Sequence, residues 1–157
     1  MAAYIKFDGV DGESKDSGHD KWCDLLSFSQ GLNQPVSGAT GAARRRGNVN
    51  VQDVSIVKLL DKSSPKLAEA VCKGRVFPKV EIDLTATNTD GQRATYYRYE
   101  LKNVLVSSYQ VSGTSNDMPT ESVSLNFEEI KVTYTENYKG KKKGNVEYTW
   151  KVEEGES

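Results

Sequence analysis

The chain has 157 residues, a length that suits one domain, residues 1–157, with a substantial buried core. Its 21 Lys and Arg residues nearly balance its 22 Asp and Glu residues, so the molecule as a whole is not built to bind nucleic acid or an anionic membrane. His19 is the only histidine of the chain. Any His-based metal cluster or Ser-His-Asp triad would therefore have to depend on that one residue.

The first segments predict strands with a polar connection between them. Residues 4–10 predict a strand with Ile5 and Phe7 on one face, followed by turn residues. Residues 21–30 predict a second strand with apolar side chains on both faces, which indicates burial on two sides. The connection carries His19, which we interpret as an exposed side chain without a special role.

The N-terminal residues, the hydropathy and the cysteines of the chain indicate a protein that is made and folded in the cytosol. Lys6 and Asp8 interrupt the N-terminus before an apolar run of signal-peptide type can form. No stretch is apolar enough to cross a bilayer, so we expect no stable membrane insertion. Cys23 and Cys72 form no Cys-x-x-Cys pair, and we expect both to be buried, reduced thiols.

Residues 31–48, GLNQPVSGATGAARRRGN, contain four glycines, three consecutive arginines and almost no large apolar side chain. Such a segment cannot build a core, so it predicts a long excursion from the body of the domain. Loops of this length inside a compact domain are uncommon unless they are functional or disordered. Residues 49–60 then return to a strand.

Residues 63–74, SSPKLAEAVCKG, predict the one convincing helix. Ser64 can cap its first turn, Pro65 suits the first helical position, and Gly74 suits a left-handed residue after the last turn. Its narrow apolar stripe consists of Leu67, Ala70 and Val71. A helix this short must pack against the sheet to persist.

Three further strands are predicted around the central one. Residues 80–86 alternate as a strand, residues 88–91 suit a tight turn that ends in Asp-Gly, and residues 93–111 form a long returning strand. Residues 139–144 form a basic turn, and the last strand carries its apolar residues at the even positions of 146–152.

The stretch 119–135, PTESVSLNFEEIKVTYT, predicts a long, bent central strand. Its apolar residues occupy odd positions up to Phe127 and even positions from Ile130 onward. A straight strand would then turn its core side to solvent. Either a bulge at Glu128 and Glu129 adds one residue, or the strand crosses from one buried surface to another.

The fold class is therefore mainly β, with about seven or eight strands: a closed antiparallel β-barrel or two packed sheets, with one short α-helix and a long extended loop. Several strands are apolar on both faces, whereas a sheet in a lone domain usually leaves one face to solvent. A large exposed apolar surface normally marks an interface. We therefore expect an oligomer.

Signals for binding chemistry are weak. The chain has no Gly-x-Gly-x-x-Gly or Gly-Lys-Ser/Thr phosphate loop. Basic residues 44–46 and 141–143 and the tyrosines near residue 97 could contact nucleic acid. The balanced net charge favours plainer roles, such as arginines that pair with acidic residues of a neighbouring subunit. We predict no catalytic residues, no metal and no cofactor.

Three colinear segments resemble the haemolysin-coregulated protein (Hcp) family, which forms the inner tube of the bacterial type VI secretion system. They are YIKFDGVDGES, VSIVKLLDKSSPKLAEAVCKG, and VLVSS followed by MPTESVSLNFEEIKVTYT, and they span residues 4–135. None is a catalytic motif. Residues 34–48 and the end from residue 137 onward fit the family less tightly.

The resemblance implies a homo-hexameric ring of barrel subunits around an open channel. Rings would stack into a tube that a contractile sheath drives outward, with a spike protein at its tip and small effector proteins in the channel. The protein would be made in the bacterial cytoplasm and secreted through the apparatus, without a signal peptide.

Two sets of residues are candidates for assembly. We hypothesise that the excursion reaches the adjacent ring through Pro35, Val36, Ser37, Gly38, Ala39, Thr40, Arg44, Arg45 and Arg46. The small polar face of the central strand is a candidate lining of the channel, through Ser122, Ser124 and Asn126. The rival hypotheses are a monomeric small-molecule-binding barrel with an apolar pocket, and a hydrolase that depends on His19.

Overall fold

A computed structural model describes residues 2–37, 45–46, 49–87, 91, 93–138 and 141–152. Gly38, Ala39, Thr40 and Arg44 of the excursion therefore lie outside the described residues, as do most of the predicted turn at 88–91 and part of the basic turn at 139–144.

The described part of the chain is mainly β, with one helix, which confirms the predicted class. The helix α1 is Ser64–Lys73. In chain order the strands are β1 (Ala2–Phe7), β2 (Cys23–Leu25), β3 (Ser27–Ser29), β4 (Leu32–Asn33), β5 (Val36–Ser37), β6 (Arg45–Arg46), β7 (Asn50–Val51), β8 (Val54–Leu59), β9 (Val76–Thr87), β10 (Arg93–Ser112), β11 (Thr120–Asn126), β12 (Glu129–Tyr138) and β13 (Lys141–Lys151).

Nine strands form one antiparallel sheet in the order β2-β1-β9-β10-β11-β8-β3, with β12 on β10 and β13 on β12. The path is open, yet its ends β2 and β3 are separated only by Leu26, whose N–H donates to the carbonyl of Val57 at 2.8 Å. The sheet therefore curls until its edges meet in one chain segment. Of the predicted architectures, the described strands do not form a closed ring of ladders; they pack their apolar sides around one core.

The predicted second strand, residues 21–30, is instead two short strands. The chain changes partner at Leu26, from β1 on one side to β8 on the other. Leu26 is 58% exposed, because a residue at a change of partner belongs to neither ladder. The prediction that both faces of this segment are buried was therefore wrong at Leu26.

The predicted central strand is interrupted at its predicted bend, between Asn126 and Glu129. Both flanking strands pair with β10, Asn126 opposite Leu105 and Glu129 opposite Lys102, so equal lengths of chain lie between the two pairs. No residue is inserted against β10, which excludes the bulge. β10 bends at the same place, where Asn103 has a φ of 53°, in the left-handed region that asparagine tolerates.

This shared bend keeps one core continuous. On β10 the buried side chains change from odd to even positions between Leu101 and Val104, and on the opposite strands they change between Phe127 and Ile130. Both strands therefore turn their apolar sides inward together, and all four residues belong to the same apolar cluster.

Helix α1 packs against the sheet through Leu67 and Ala70, which are buried as predicted. Gly74 ends it with a φ of 62°, as predicted for a left-handed residue. Ser64 does not cap the helix: it is the first helical residue, and its Oγ accepts a hydrogen bond from the N–H of Asp61 at 3.0 Å. Cys72 is exposed, which corrects the expected burial, because it lies about 100° around the helix from Val71.

Candidate functional site

The excursion is a paired ribbon wherever the structure describes it. At its base, β4 pairs with β7, and farther out β5 pairs with β6, placing Val36 opposite Arg46 and Ser37 opposite Arg45. The described parts of the predicted extended loop thus form two short pairs of strands, because strand pairing satisfies backbone N–H and C=O groups that a lone loop would leave without partners. We refer to residues 32–51 as the ribbon.

The ribbon leaves the body of the domain at one end of β8. β3 runs antiparallel to β8, with Ser27 opposite Val57 and Ser29 opposite Ser55. The chain therefore passes from Ser29 into the ribbon beside the first residues of β8, and it runs away from Leu59 at the other end.

An apolar face of the β12–β13 hairpin continues beyond the protein's own core. Ile130 and Val132 lie on this face and are buried, at 0% and 5% exposure. Farther along the same face Tyr134 lies opposite Val146, and Tyr148 lies opposite Val132. Tyr134, Val146 and Tyr148 are 45%, 74% and 42% exposed, and we call them the hairpin patch.

A second apolar surface lies beside the Leu59 end of β8. Leu26, Leu59 and Met118 are 58%, 38% and 67% exposed and line one cleft of about 180 Å³. Leu60 completes the apolar lining, and three carboxylates share it. We call this cleft the end groove; its lining residues are Glu13, Asp24, Leu26, Leu59, Leu60, Asp61 and Met118.

The two surfaces lie at opposite ends of β10. Tyr134 of the hairpin patch pairs with Tyr97, whereas Leu59 of the end groove pairs with Thr120, which in turn lies opposite Ser112. Residues 97 and 112 are separated by at most about 50 Å of strand, at a rise of about 3.3 Å per residue. The molecule thus offers two different apolar surfaces rather than one self-complementary patch.

The predicted polar face of the central strand points away from the core. Ser122 and Asn126 are exposed and Ser124 is partly exposed, while the alternating Val123 and Leu125 are buried. Asn126 donates from Nδ2 to Asp53 at 2.9 Å. The three candidate residues therefore share one solvent-facing surface of small polar groups.

His19 is buried, which corrects the exposed side chain expected from its polar surroundings. It is 6% exposed and lies between two carboxylates, Asp16 at 2.7 Å from Nδ1 and Asp83 at 2.8 Å from Nε2. Its ring stacks on Tyr4 with the centroids 4.4 Å apart, and Trp22 packs edge-on. Sequence reasoning missed this site because Asp83 is 64 residues away.

The His19 site is organised as a structural cluster. Asp83 is fully buried and also accepts two hydrogen bonds from the guanidinium of Arg98, at 2.6 Å and 2.8 Å. Both ring nitrogens of His19 are occupied by carboxylates, so neither faces a substrate as a general base. The hydrolase hypothesis therefore loses the one residue on which it depends.

Asp16 makes this cluster sensitive to acid. The hydrogen bond with His19 holds the pKa of Asp16 below its ordinary value of 3.8. A depressed folded pKa contributes stability above the ordinary value, and that stability is lost as the pH falls through the folded pKa. We expect Asp16→Asn to lower the urea midpoint near about pH 7 and to differ little from the parent near about pH 2. Asp20→Asn, on an exposed side chain, is the control; a difference that does not change with pH would contradict this account.

A second buried cluster joins β8 to β11. Lys58 and Glu121 are both fully buried and form an ion pair, and Lys58 Nζ also lies 2.9 Å from Asp61. Tyr109 donates its hydroxyl hydrogen to Glu121. A signal for it exists in the sequence: Lys58 has the same parity as the buried Val54 and Ile56, so it stands where an apolar residue belongs.

The remaining chemistry is sparse. Burial raises the pKa of the Cys23 thiol to about 11, which leaves it inert as a nucleophile. Within the described ranges, no group of three or more His, Cys, Asp and Glu side chains is arranged to hold a metal ion. No helix in the described part of the chain has the length and apolar character needed to cross a membrane.

Comparisons with known proteins agree with one another. A family model described as "Type VI secretion system effector, Hcp" matches residues 4–134. The chain is 37% identical to protein hcp1 of Pseudomonas aeruginosa over 152 residues, which cover 95% of this chain and 93% of that protein.

Solved structures show the same relationship. One described as a type six secretion system protein superposes with a TM-score of 0.90 at 30% identity and covers 99% of this chain and 98% of its own. Hcp1 from Salmonella typhimurium shares the fold, with a TM-score of 0.79 at 22% identity and coverage of 99% and 97%. The chain therefore belongs to the Hcp family, the secreted tube proteins of the type VI secretion system.

Proposed function

We propose that this chain forms six-membered rings around a channel, that the rings stack head to tail into a tube, and that the domain itself carries out no catalysis. The observation that carries the proposal is the hairpin patch, an apolar face that begins in the core and continues into solvent. An apolar face that extends beyond the core into solvent marks a surface that a neighbouring molecule covers.

A ring requires two different surfaces on each subunit. In a closed ring one surface of each copy meets another surface of the next copy, and the contacts repeat until the ring closes. The hairpin patch provides one such surface. β13 adds an open edge, since among the described strands it pairs only with β12, and an unpaired edge strand is a template for another chain.

We further propose that Ser122, Ser124 and Asn126 line the channel. Small polar side chains on a strand face offer no apolar surface to which a passing protein would adhere. Ser55 and Ser108 lie opposite Ser124 on the two neighbouring strands and extend this polar surface. Such a lining suits the transient carriage of small effector proteins while a sheath and a spike act on the outside and at the tip of the tube.

The ribbon is proposed to join one ring to the next, and its removal separates ring formation from stacking. Deletion of residues 36–46 should leave a particle of six subunits, because the hairpin patch lies outside the deleted segment. The same protein should form no tubes. Light scattering measures the ring mass and negative-stain imaging the tubes; tubes of unchanged length after the deletion would contradict the role of the ribbon.

A small-molecule-binding barrel has less support. The buried apolar side chains of the described strands form one cluster. A cleft of about 610 Å³ beside His19 is lined mostly by polar and charged side chains, among them Asp16, Arg93 and Arg98. This is not the apolar internal pocket that the alternative requires.

A further inference from the structure

The end groove carries both apolar and acidic character. Leu26, Leu59 and Met118 contribute exposed apolar surface to its lining, and Glu13, Asp24 and Asp61 contribute three carboxylates. Asp61 already pairs with Lys58, and Glu13 accepts a hydrogen bond from the N–H of Lys62 at 3.1 Å. Asp24 is exposed and remains the carboxylate most open to an incoming cation.

The ribbon has the complementary composition. Between residues 31 and 49 the chain has three arginines, no Asp and no Glu, together with small and apolar residues such as Val36. β6 places Arg45 and Arg46 opposite Ser37 and Val36 in the paired part of the ribbon. A strongly basic, partly apolar segment matches an acidic, partly apolar groove in both respects.

The ribbon and the end groove lie at opposite ends of the same strand pair. The groove opens at Leu26 and Leu59, and the ribbon departs beyond Ser29 and Ser55. β4, β5 and the two residues between them can span at most about 20 Å, at about 3.3 Å per residue. The basic segment therefore begins at the end of the β3–β8 pair that lies away from the molecule's own groove.

We propose that the end groove of one copy receives the ribbon of a second copy, so that projection and groove join successive rings head to tail. This inference rests on the proposed function and deepens it, because it assigns the receiving surface. A projection at one end and a matching groove at the other produce a heterologous contact, which repeats along an axis without closing.

The test is a reciprocal exchange of charge in the full-length chain. Asp24→Lys should weaken ring-ring association about tenfold, and Arg45→Glu with Arg46→Glu should do the same. Combining the three substitutions should restore association, since the opposite charges meet again. Asp20→Lys, the same change on an exposed side chain outside the groove, should have no effect. Sedimentation velocity measures ring-ring association, and light scattering shows that each variant still forms rings.

The outcomes separate the two proposals. If wild-type rings stack and Asp24→Lys stacks as well as Asp20→Lys, the groove is not the receiving surface, and the proposed function stands. If Asp24→Lys and the double substitution at Arg45 and Arg46 each weaken stacking and their combination does not restore it, the groove binds something other than a second copy's ribbon, and the inference fails. If wild-type rings never associate, the stacking part of the proposed function fails with it.

Discussion

Val146→Glu is expected to convert the ring into a monomer. Val146 is 74% exposed in the single subunit, so an exposed glutamate there should change the free energy of unfolding by no more than about 0.5 kcal/mol. In a ring the same position would be covered, and an unpaired buried carboxylate costs several kcal/mol at every contact. Light scattering should show the mass falling from about six times 17.4 kDa to 17.4 kDa.

A matched control lies on the same strand. Thr149 occupies the opposite parity and lies across from Lys131, so Thr149→Glu adds the same charge on the other face of the hairpin. That variant should keep the ring mass. If Val146→Glu and Thr149→Glu give particles of the same mass, the hairpin patch does not form the contact within the ring.

Lys58→Met is expected to lower the free energy of unfolding by about 3–5 kcal/mol. Burial alone would lower the pKa of Lys58, but its ion pair with Glu121 and its hydrogen bond to Asp61 overcome burial and raise it. Removing the ammonium leaves the buried Glu121 carboxylate without its cation, and an uncompensated buried charge is costly. Urea unfolding with linear extrapolation measures the loss.

The neighbouring Lys62→Met controls for the loss of a lysine, because Lys62 is exposed, and it should change the free energy by no more than about 0.5 kcal/mol. Adding Glu121→Gln to Lys58→Met should recover part of the loss by removing the stranded charge. Equal stabilities of the Lys58 and Lys62 variants would show that the buried pair contributes nothing that the fold requires.

Sequence patterns correctly predicted the helices and strands that depend on interactions between residues close together in the sequence. The helix ends where Gly74 predicts, and the alternation after residue 80 and the long return strand from Arg93 both appear as strands. The bend near Glu128 was located correctly, and of its two predicted causes the register excludes the bulge. A change of parity in one sequence segment cannot show that the strand beside it changes parity too.

The errors share a physical origin in long-range partners. His19 was expected to be exposed because its neighbours in the sequence are polar. It is buried because its ring forms a hydrogen bond with Asp83 of β9. The short strand pairs β4–β7 and β5–β6 within the predicted extended loop were not predicted either, because each joins residues from the two arms of the loop.

Of the candidate surfaces, one could be predicted from the sequence and one could not. The hairpin patch could be predicted, since the even positions of 146–152 already mark an apolar face. The end groove could not, because Leu26, Leu59 and Met118 come together only when β3, β8 and the start of β11 are aligned. Ser122, Ser124 and Asn126 do share a solvent-facing surface, and their place in a channel remains a proposal.

The most direct test is the mass and shape of the purified full-length protein, by light scattering followed by negative-stain imaging of the same peak. We predict about 104 kDa, six times 17.4 kDa, and ring-shaped particles with a central opening. A clean 17.4 kDa monomer at high concentration, with no rings in the images, would contradict the account.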